Sequence, residues 1–318
     1  MIELLFNIFL FLVGLFLLIY SADWLIQTSV KFSLLAHLTP LFIGLIIIAF
    51  GTSAPELGVG VVAAVKNEKL IALGNVIGSN IANIGLILGI CLLFQPIKID
   101  EKIFKNEFPV MVGAVFLLYI LSRDLILTRG DGIIFLTIFF FFCIFSYKKA
   151  RKEFKLEEVK EFKLNKYLRK IKSKKITFLF LILSLAGLIE GADLMIKGAT
   201  ALAKILKINL WIIGIIIFAI GTSLPELVAS LTASLKGIPA ISIGNIIGSN
   251  IFNILFILGT VSLIKPIPLS SSFLKFEYKM LFLFSLMPLL GIKSKKLSRL
   301  EGAIFFISYL IFIFGILT

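Results

Sequence analysis

The chain has 318 residues, 59% of them hydrophobic, with 32 Phe, a single His and a net charge of +14, and its mean hydropathy is +1.08. Such a composition excludes an ordinary soluble domain and places the chain among polytopic helical membrane proteins. The apolar runs are of helical length, about 20 residues, and lack the period-2 alternation of a membrane β-barrel. The basic residues sit in short loops between those runs, so the charge reads as positive-inside bias and not as a nucleic-acid surface.

Ten spans follow one another along the chain. The first, 4–24, is preceded by Met1-Ile2-Glu3, with an acid where a signal peptide carries its positive region, and reads as a retained transmembrane helix. Spans 38–65, 70–94, 107–122 and 132–147 complete a first five-helix repeat over residues 1–147. A basic linker, 148–176, opens with Lys148, Lys149, Arg151, Lys152 and Lys155. It reads as solvated, the alternative being a short surface helix using Phe154, Val159 and Phe162 against headgroups. Spans 177–198, 208–235, 240–264, 277–292 and 300–317 form a second five-helix repeat over 177–318. An odd number of spans per half enters the membrane with opposite sense, so the fold class is an all-α membrane protein of ten helices in two inverted repeats. Placing the linker in the cytoplasm and both termini outside puts about 22 of the 32 basic residues on the cytoplasmic side, including Lys98, Lys102, Lys105, Lys293, Lys295, Lys296 and Arg299. Cys91 and Cys143 lie inside apolar runs and read as small core residues, with no disulfide or metal-binding spacing.

The duplication is visible at a constant offset. Gly51-Thr52-Ser53-Ala54-Pro55-Glu56 recurs as Gly221-Thr222-Ser223-Leu224-Pro225-Glu226, and roughly half the positions of 41–90 match 211–260 without a gap. An acid inside a membrane span costs about 2.5–3.5 kcal/mol to insert even on the mildest scales, so a paired acid points to function. Pro55 and Pro225 supply no amide to the carbonyls of Gly51 and Gly221, and freed carbonyls at membrane depth are tolerated only where they line a cavity or bind something. Thr52 and Ser53 share a helix face with Glu56, as Thr222 and Ser223 do with Glu226. A cluster of hard oxygens without Cys or His suits Ca²⁺ or Na⁺ and argues against zinc or copper.

A second motif, Gly74-Asn75-Val76-Ile77-Gly78-Ser79-Asn80-Ile81-Ala82-Asn83, is echoed by Gly244-Asn245-Ile246-Ile247-Gly248-Ser249-Asn250-Ile251-Phe252-Asn253. Ser79, Asn83, Ser249 and Asn253 read as ligands or near-ligands, whereas Asn75, Asn80, Asn245 and Asn250 read as packing or pore lining. Gly74 and Gly78 form a small-xxx-small surface. Asp23 and Asp193 also match across the repeat but lie toward span ends and read as structural, Glu190 has no acidic partner in the first half, and His37 sits at a span boundary.

These paired motifs resemble the α-repeats of the sodium/calcium exchanger family, within the cation/calcium exchanger superfamily, and over nearly the whole chain resemble its compact prokaryotic members. The resemblance implies Glu56 and Glu226 as the central Ca²⁺ ligands, also shared with Na⁺, with backbone carbonyls from Thr52 and Thr222. It implies Ala49, Ser53 and Ser79 around one flanking Na⁺ site and Ala219, Ser223 and Ser249 around the other. Asn83 and Asn253 fall where the family varies between amide and aspartate, and an aspartate at the second position goes with K⁺ use in potassium-dependent relatives. The expected activity is a secondary antiport of Na⁺ against Ca²⁺ across the cell membrane by a monomer in the lipid bilayer, with no cofactor, no nucleic-acid partner and no enzymatic reaction. The alternatives are a proton/calcium antiporter, whose relatives carry a glutamate close after the Gly-Asn where Gly78-Ser79 and Gly248-Ser249 stand here, or a cation channel. An intramembrane hydrolase using Ser53 or Ser223 lacks a histidine within either motif.

Overall fold

With apolar residues filling run after run, the helices of this protein end where glycine, proline and capping side chains stop them. The computed structural model describes residues 2–66, 68–98, 100–155, 162, 164–205, 221–270 and 274–317. Helix α1 (Ile2–Ala36) closes where His37 adopts φ 57° and the Leu38 N–H returns to the Ser33 carbonyl at 3.1 Å, a left-handed helix end. Thr39 then caps α2 (Pro40–Thr52), its hydroxyl accepting from the Phe42 N–H at 3.4 Å, with Pro40 in the first turn. Helices α2 and α3 (Ala54–Val65) are two limbs of one interrupted span, bent by 43° around Ser53, where Pro55 breaks the amide ladder. The first repeat continues through α4 (69–94), the short α5 (Glu101–Lys105), α6 (Glu107–Leu121) and α7 (Arg129–Glu153).

After a linker turn, α8 (Lys166–Lys170), the second repeat runs through α9 (Lys174–Ile205), α10 (Leu224–Leu235), α11 (Pro239–Ile264), α12 (Glu277–Leu286), which tightens into a 3₁₀ turn over Met287–Gly291 at Pro288, and α13 (Arg299–Leu317). Among the described residues, six helices are long and apolar enough to cross a membrane, or seven when α2 and α3 count as one span. The remaining expected spans correspond to α10, whose preceding residues 206–220 lie outside the described residues, α12 with its continuation, and α13.

Helix α1 is longer than its hydropathy implies, 35 residues instead of a span over 4–24. The extension is held because Gln27, Thr28, Ser29 and Ser33 are buried on it, with the Thr28 hydroxyl donating back to the Trp24 carbonyl at 2.8 Å. Helix α9 lies along α1 at backbone contact. A Cβ on Gly14 would stand 2.3 Å from the Met195 amide, so only glycine permits that approach. The linker, expected to be solvated, docks on this helix pair. Leu168 is fully buried, Phe154, Phe162 and Leu164 pack against the core around α1 and α9, and the Asn165 N–H donates to Gln27 at 2.9 Å. Val159, part of the surface-helix alternative, lies outside the described residues.

Four two-residue strands among the described residues, too short to read from the sequence, pair in a way that reflects the two repeats. Strand β1 (Ile97–Lys98) pairs antiparallel with β4 (Lys296–Leu297), and β2 (Ile126–Leu127) with β3 (Ile267–Pro268). Moving each strand by the repeat offset of 170 residues converts one pairing into the other. Each half therefore ties itself to the other at two equivalent places. The β1–β4 end also gathers the ion pairs Lys295–Glu101 at 3.0 Å and Lys102–Glu153 at 3.2 Å, so the basic loops around Lys98, Lys102 and Lys295 and the start of the linker lie at one end of the molecule. Nearby, Lys149 pairs with Glu107 at 2.5 Å in a largely buried bridge between α7 and α6.

Candidate cation-binding site

The broken span places its acid at a helix start. Glu56 occupies the first turn of α3 and Glu226 the first turn of α10, each just after a serine with φ near −90° and ψ near 5° (Ser53 −84°, 8°; Ser223 −90°, 5°). A helix start carries partial positive charge, which favours carboxylates there. Both glutamates are 1% exposed, and among the described residues no Lys or Arg is a hydrogen-bond or ion-pair partner of either. They are near enough for Glu226 to repel the charge on Glu56.

The helices bring the second motif onto the first. Gly248 makes this possible, since a Cβ there would stand 2.1 Å from the Leu45 carbonyl oxygen, and α11 thus lies backbone to backbone on α2. In the first repeat the corresponding partner of Gly74 and Gly78 falls in residues 206–220, outside the described residues. Close to the site the backbone winds wider than an α-helix. Stretches Ile43–Ile48, Asn83–Leu88 and Phe252–Leu258 are π-helical, and two of them open at Asn83 and beside Asn253. Such extra-residue turns recur at functional positions.

The side chains interlock across the two halves. The Ser53 hydroxyl donates to Glu226 Oε1 at 3.0 Å, and Ser79 donates to Glu56 Oε1 at 3.4 Å. Thr52 faces Glu226 and Thr222 faces Glu56. The Thr52 hydroxyl also donates to Asn245 Oδ1 at 3.2 Å, while Asn245 Nδ2 donates to Ser230 at 2.9 Å. Ala49 is buried, with its carbonyl accepting from the Ser53 N–H at 3.0 Å. Asn83, Asn253, Ser223 and Ser249 are buried in the same neighbourhood of α4, α10 and α11. Ala219 lies outside the described residues. Asp23 and Asp193 stay apart, in ion pairs with Lys236 and Lys197, and Glu190 is exposed.

After these bonds are made, five oxygens of this group remain buried and without a partner among the described residues: Glu56 Oε2, Glu226 Oε2, Asn83 Oδ1, Asn253 Oδ1 and Ser249 Oγ. Buried polar atoms are normally satisfied, so a concentration of orphaned oxygens in the neighbourhood of two carboxylates makes this group the candidate place for a cation. Among the described residues no group of three His, Cys, Asp or Glu side chains is assembled. The donor set is thus two carboxylates with neutral oxygens, the chemistry of hard cations. The second motif marks Asn245 as a packing or pore-lining residue, and nothing in either motif points to Ser230. Ser230 replaces Gly60 of the first repeat, and only the fold shows that this hydroxyl anchors the amide that holds Thr52.

An inverted-repeat helical membrane protein with broken helices around such a group is a membrane cation transporter of the secondary type. The family model described as sodium/calcium exchanger protein matches residues 6–148 and 176–318. A putative antiporter, CaxA, of Alkalimonas amylolytica is 36% identical over 94% of this chain and 95% of its own length. The sodium/calcium exchanger MaX1 of Methanosarcina acetivorans is 28% identical over 98% of this chain and 99% of its own. Among solved structures, the sodium-calcium exchanger NCX_Mj soaked with zero Na⁺ and Ca²⁺ superposes with a TM-score of 0.85 at 30% identity, over 98% of this chain and 99% of that one. This chain belongs to the sodium/calcium exchanger family, as a multi-pass membrane cation/calcium exchanger.

Proposed function

We propose that this protein is a secondary antiporter that exchanges Na⁺ for Ca²⁺ across the cell membrane, carrying both at the site formed by Glu56 and Glu226. The observation that carries this reading is the set of five unpartnered buried oxygens around the two carboxylates. Two unpaired negative charges in a buried site are costly; one Ca²⁺ or two Na⁺ neutralise them equally. Ions that compete for one site, presented in turn to each side of the membrane, are sufficient for exchange. Thr52, Thr222, Ser53, Ser223, Ser79, Ser249, Asn83, Asn253 and the carbonyls of Ala49 and Ala219 complete the proposed ligand set.

Three Na⁺ per Ca²⁺, the ratio the family resemblance implies, would be well driven. A tenfold Na⁺ gradient supplies about 1.4 kcal/mol per ion and one net charge crossing 100 mV about 2.3 kcal/mol, which together give about 6.5 kcal/mol per Ca²⁺. The end of the molecule that gathers Lys98, Lys102 and Lys295 faces the cytoplasm in this reading, by the positive-inside rule, with both termini outside. Support for a monomer is that both carboxylates and the described neutral oxygens around them come from one chain. Purified protein in liposomes loaded with Na⁺ tests the reading: outward Na⁺ gradients drive Ca²⁺ uptake, whereas absence of uptake under any cation gradient contradicts it.

A further inference from the structure

Four asparagines form a crossed arrangement at the centre of the repeat interface. Asn80 and Asn250 stand at equivalent positions of the two halves, and each reaches into the other half. Asn253 Nδ2 donates to Asn80 Oδ1 at 3.0 Å, and Asn83 Nδ2 donates to Asn250 Oδ1 at 3.3 Å. The two outer amides are held in turn. Asn80 Nδ2 donates to the Asn250 carbonyl at 3.5 Å, and Asn250 Nδ2 to the sulfur of Met111 at 3.5 Å. All four side chains are buried.

A carboxamide carries its acceptor on one side and its donors on the other, and its two flips occupy nearly the same volume. Fixing the NH₂ groups of Asn83 and Asn253 against Asn250 and Asn80 turns both Oδ1 atoms the other way. Those two Oδ1 atoms are, among the described residues, buried and left without a partner. In the opposite flip each asparagine would present N–H donors to a cation, which repel it. An aspartate at 83 or 253 would need no such control, because both its oxygens accept. An asparagine needs something that decides its flip.

We propose that Asn80 and Asn250 are positioning residues that select the cation-binding flip of Asn253 and Asn83, each acting on the opposite repeat. The proposal rests on the cation-exchange reading above. It makes the amide oxygen of each half depend on a residue of the other half, so the site is assembled only when the halves are in register. Plain interhelical bonding, the usual role of amides between membrane helices, would stabilise the fold without setting ion affinity.

The test is a pair of double-mutant cycles on the full-length protein in proteoliposomes, reading the half-saturating Ca²⁺ concentration of Na⁺-driven uptake alongside thermal stability. Loss of a residue that orients a metal ligand costs roughly 10-fold in affinity, so Asn80→Ala is expected to raise half-saturation by about that factor. Asn80→Ala combined with Asn253→Ala should be no worse than Asn253→Ala alone, because the residue acts through that amide. Asn80→Ala combined with Asn83→Ala should multiply the two defects, since those residues belong to different pairs. The Asn250→Ala and Asn83→Ala pair runs the same test in the other direction should Asn80→Ala fail to fold. Unchanged half-saturation in both single variants, or multiplication within the matched pairs, overturns the proposal while Na⁺-driven uptake by the unaltered protein leaves the exchange reading standing. Absence of that uptake in the unaltered protein removes the exchange reading and this proposal with it.

Discussion

Replacing Glu226 by glutamine separates its charge from its shape. The amide keeps an oxygen for the Ser53 hydroxyl, which now donates to Glu226 Oε1 at 3.0 Å, and relieves the repulsion that Glu226 exerts on Glu56. The fold is therefore expected to survive, with a thermal midpoint in the absence of ions equal to or above that of the unaltered protein. The site loses one of two formal charges. Two unit charges 4 Å apart at an effective dielectric constant of 20 interact by about 4 kcal/mol. A divalent ion gains about twice that from each carboxylate, and partial desolvation offsets some of it, so a loss of about 4 kcal/mol is a conservative value. At 1.4 kcal/mol per decade this weakens Ca²⁺ binding by about 1,000-fold. Two assays read it. Uptake of radioactive Ca²⁺ into Na⁺-loaded liposomes should fall to background, and the stabilisation by Ca²⁺, about 2.7 kcal/mol at 100 times the dissociation constant, should vanish at the same concentration. A Glu226→Gln protein that still shows the full Ca²⁺-induced thermal shift and wild-type uptake would refute the assignment of this carboxylate, and the same holds for Glu56→Gln.

Packing and topology give further predictions. Gly248→Ala must push α11 from α2, because its Cβ would meet the Leu45 carbonyl at 2.1 Å, and it is expected to destabilise by about 1–3 kcal/mol; Gly58→Ala, at an exposed position, should leave the thermal midpoint nearly unchanged. Lys149→Met leaves Glu107 buried without its partner and should cost about 3–5 kcal/mol, most of it recovered when Glu107→Leu is added; a single variant as stable as the parent would show that the bridge carries no such penalty. A cysteine introduced at the exposed Lys172 of the linker should react with an impermeant reagent only after the cells are opened, and labelling from outside intact cells would invert the topology.

Much of the site was legible because the chemistry that makes it costly is local. Two glutamates in apolar runs, each after Thr-Ser and Pro, announce themselves without any fold, and the constant offset reveals their pairing. The partners were not legible. That Ser53 bonds Glu226 and not Glu56 depends on how the halves cross, which no spacing within one repeat contains. Asn80, Asn250 and Asn245, readable only as polar residues on a packed face, acquire their roles from groups on the opposite repeat. The length of α1 was hidden because Gln27, Ser29 and Ser33 lower the hydropathy of a segment whose polar groups are buried against protein. The linker was read as solvated because lysines surround Phe162, Leu164 and Leu168, whose packing surface lies on α1 and α9. Two-residue strands carry no periodicity at all.

In the proposed exchange Na⁺ alone drives Ca²⁺ through a site with two carboxylates and two amides. Asn253 adds no charge, and the aspartate that goes with K⁺ use in potassium-dependent relatives does not stand at this position. The most direct measurement is Ca²⁺ uptake by proteoliposomes under an outward Na⁺ gradient, with K⁺ replaced by choline and any pH gradient collapsed. Full uptake is expected in that medium, with no change when K⁺ is added. Uptake that disappears there and returns with K⁺, or that follows an imposed pH gradient instead of Na⁺, contradicts the proposed exchange.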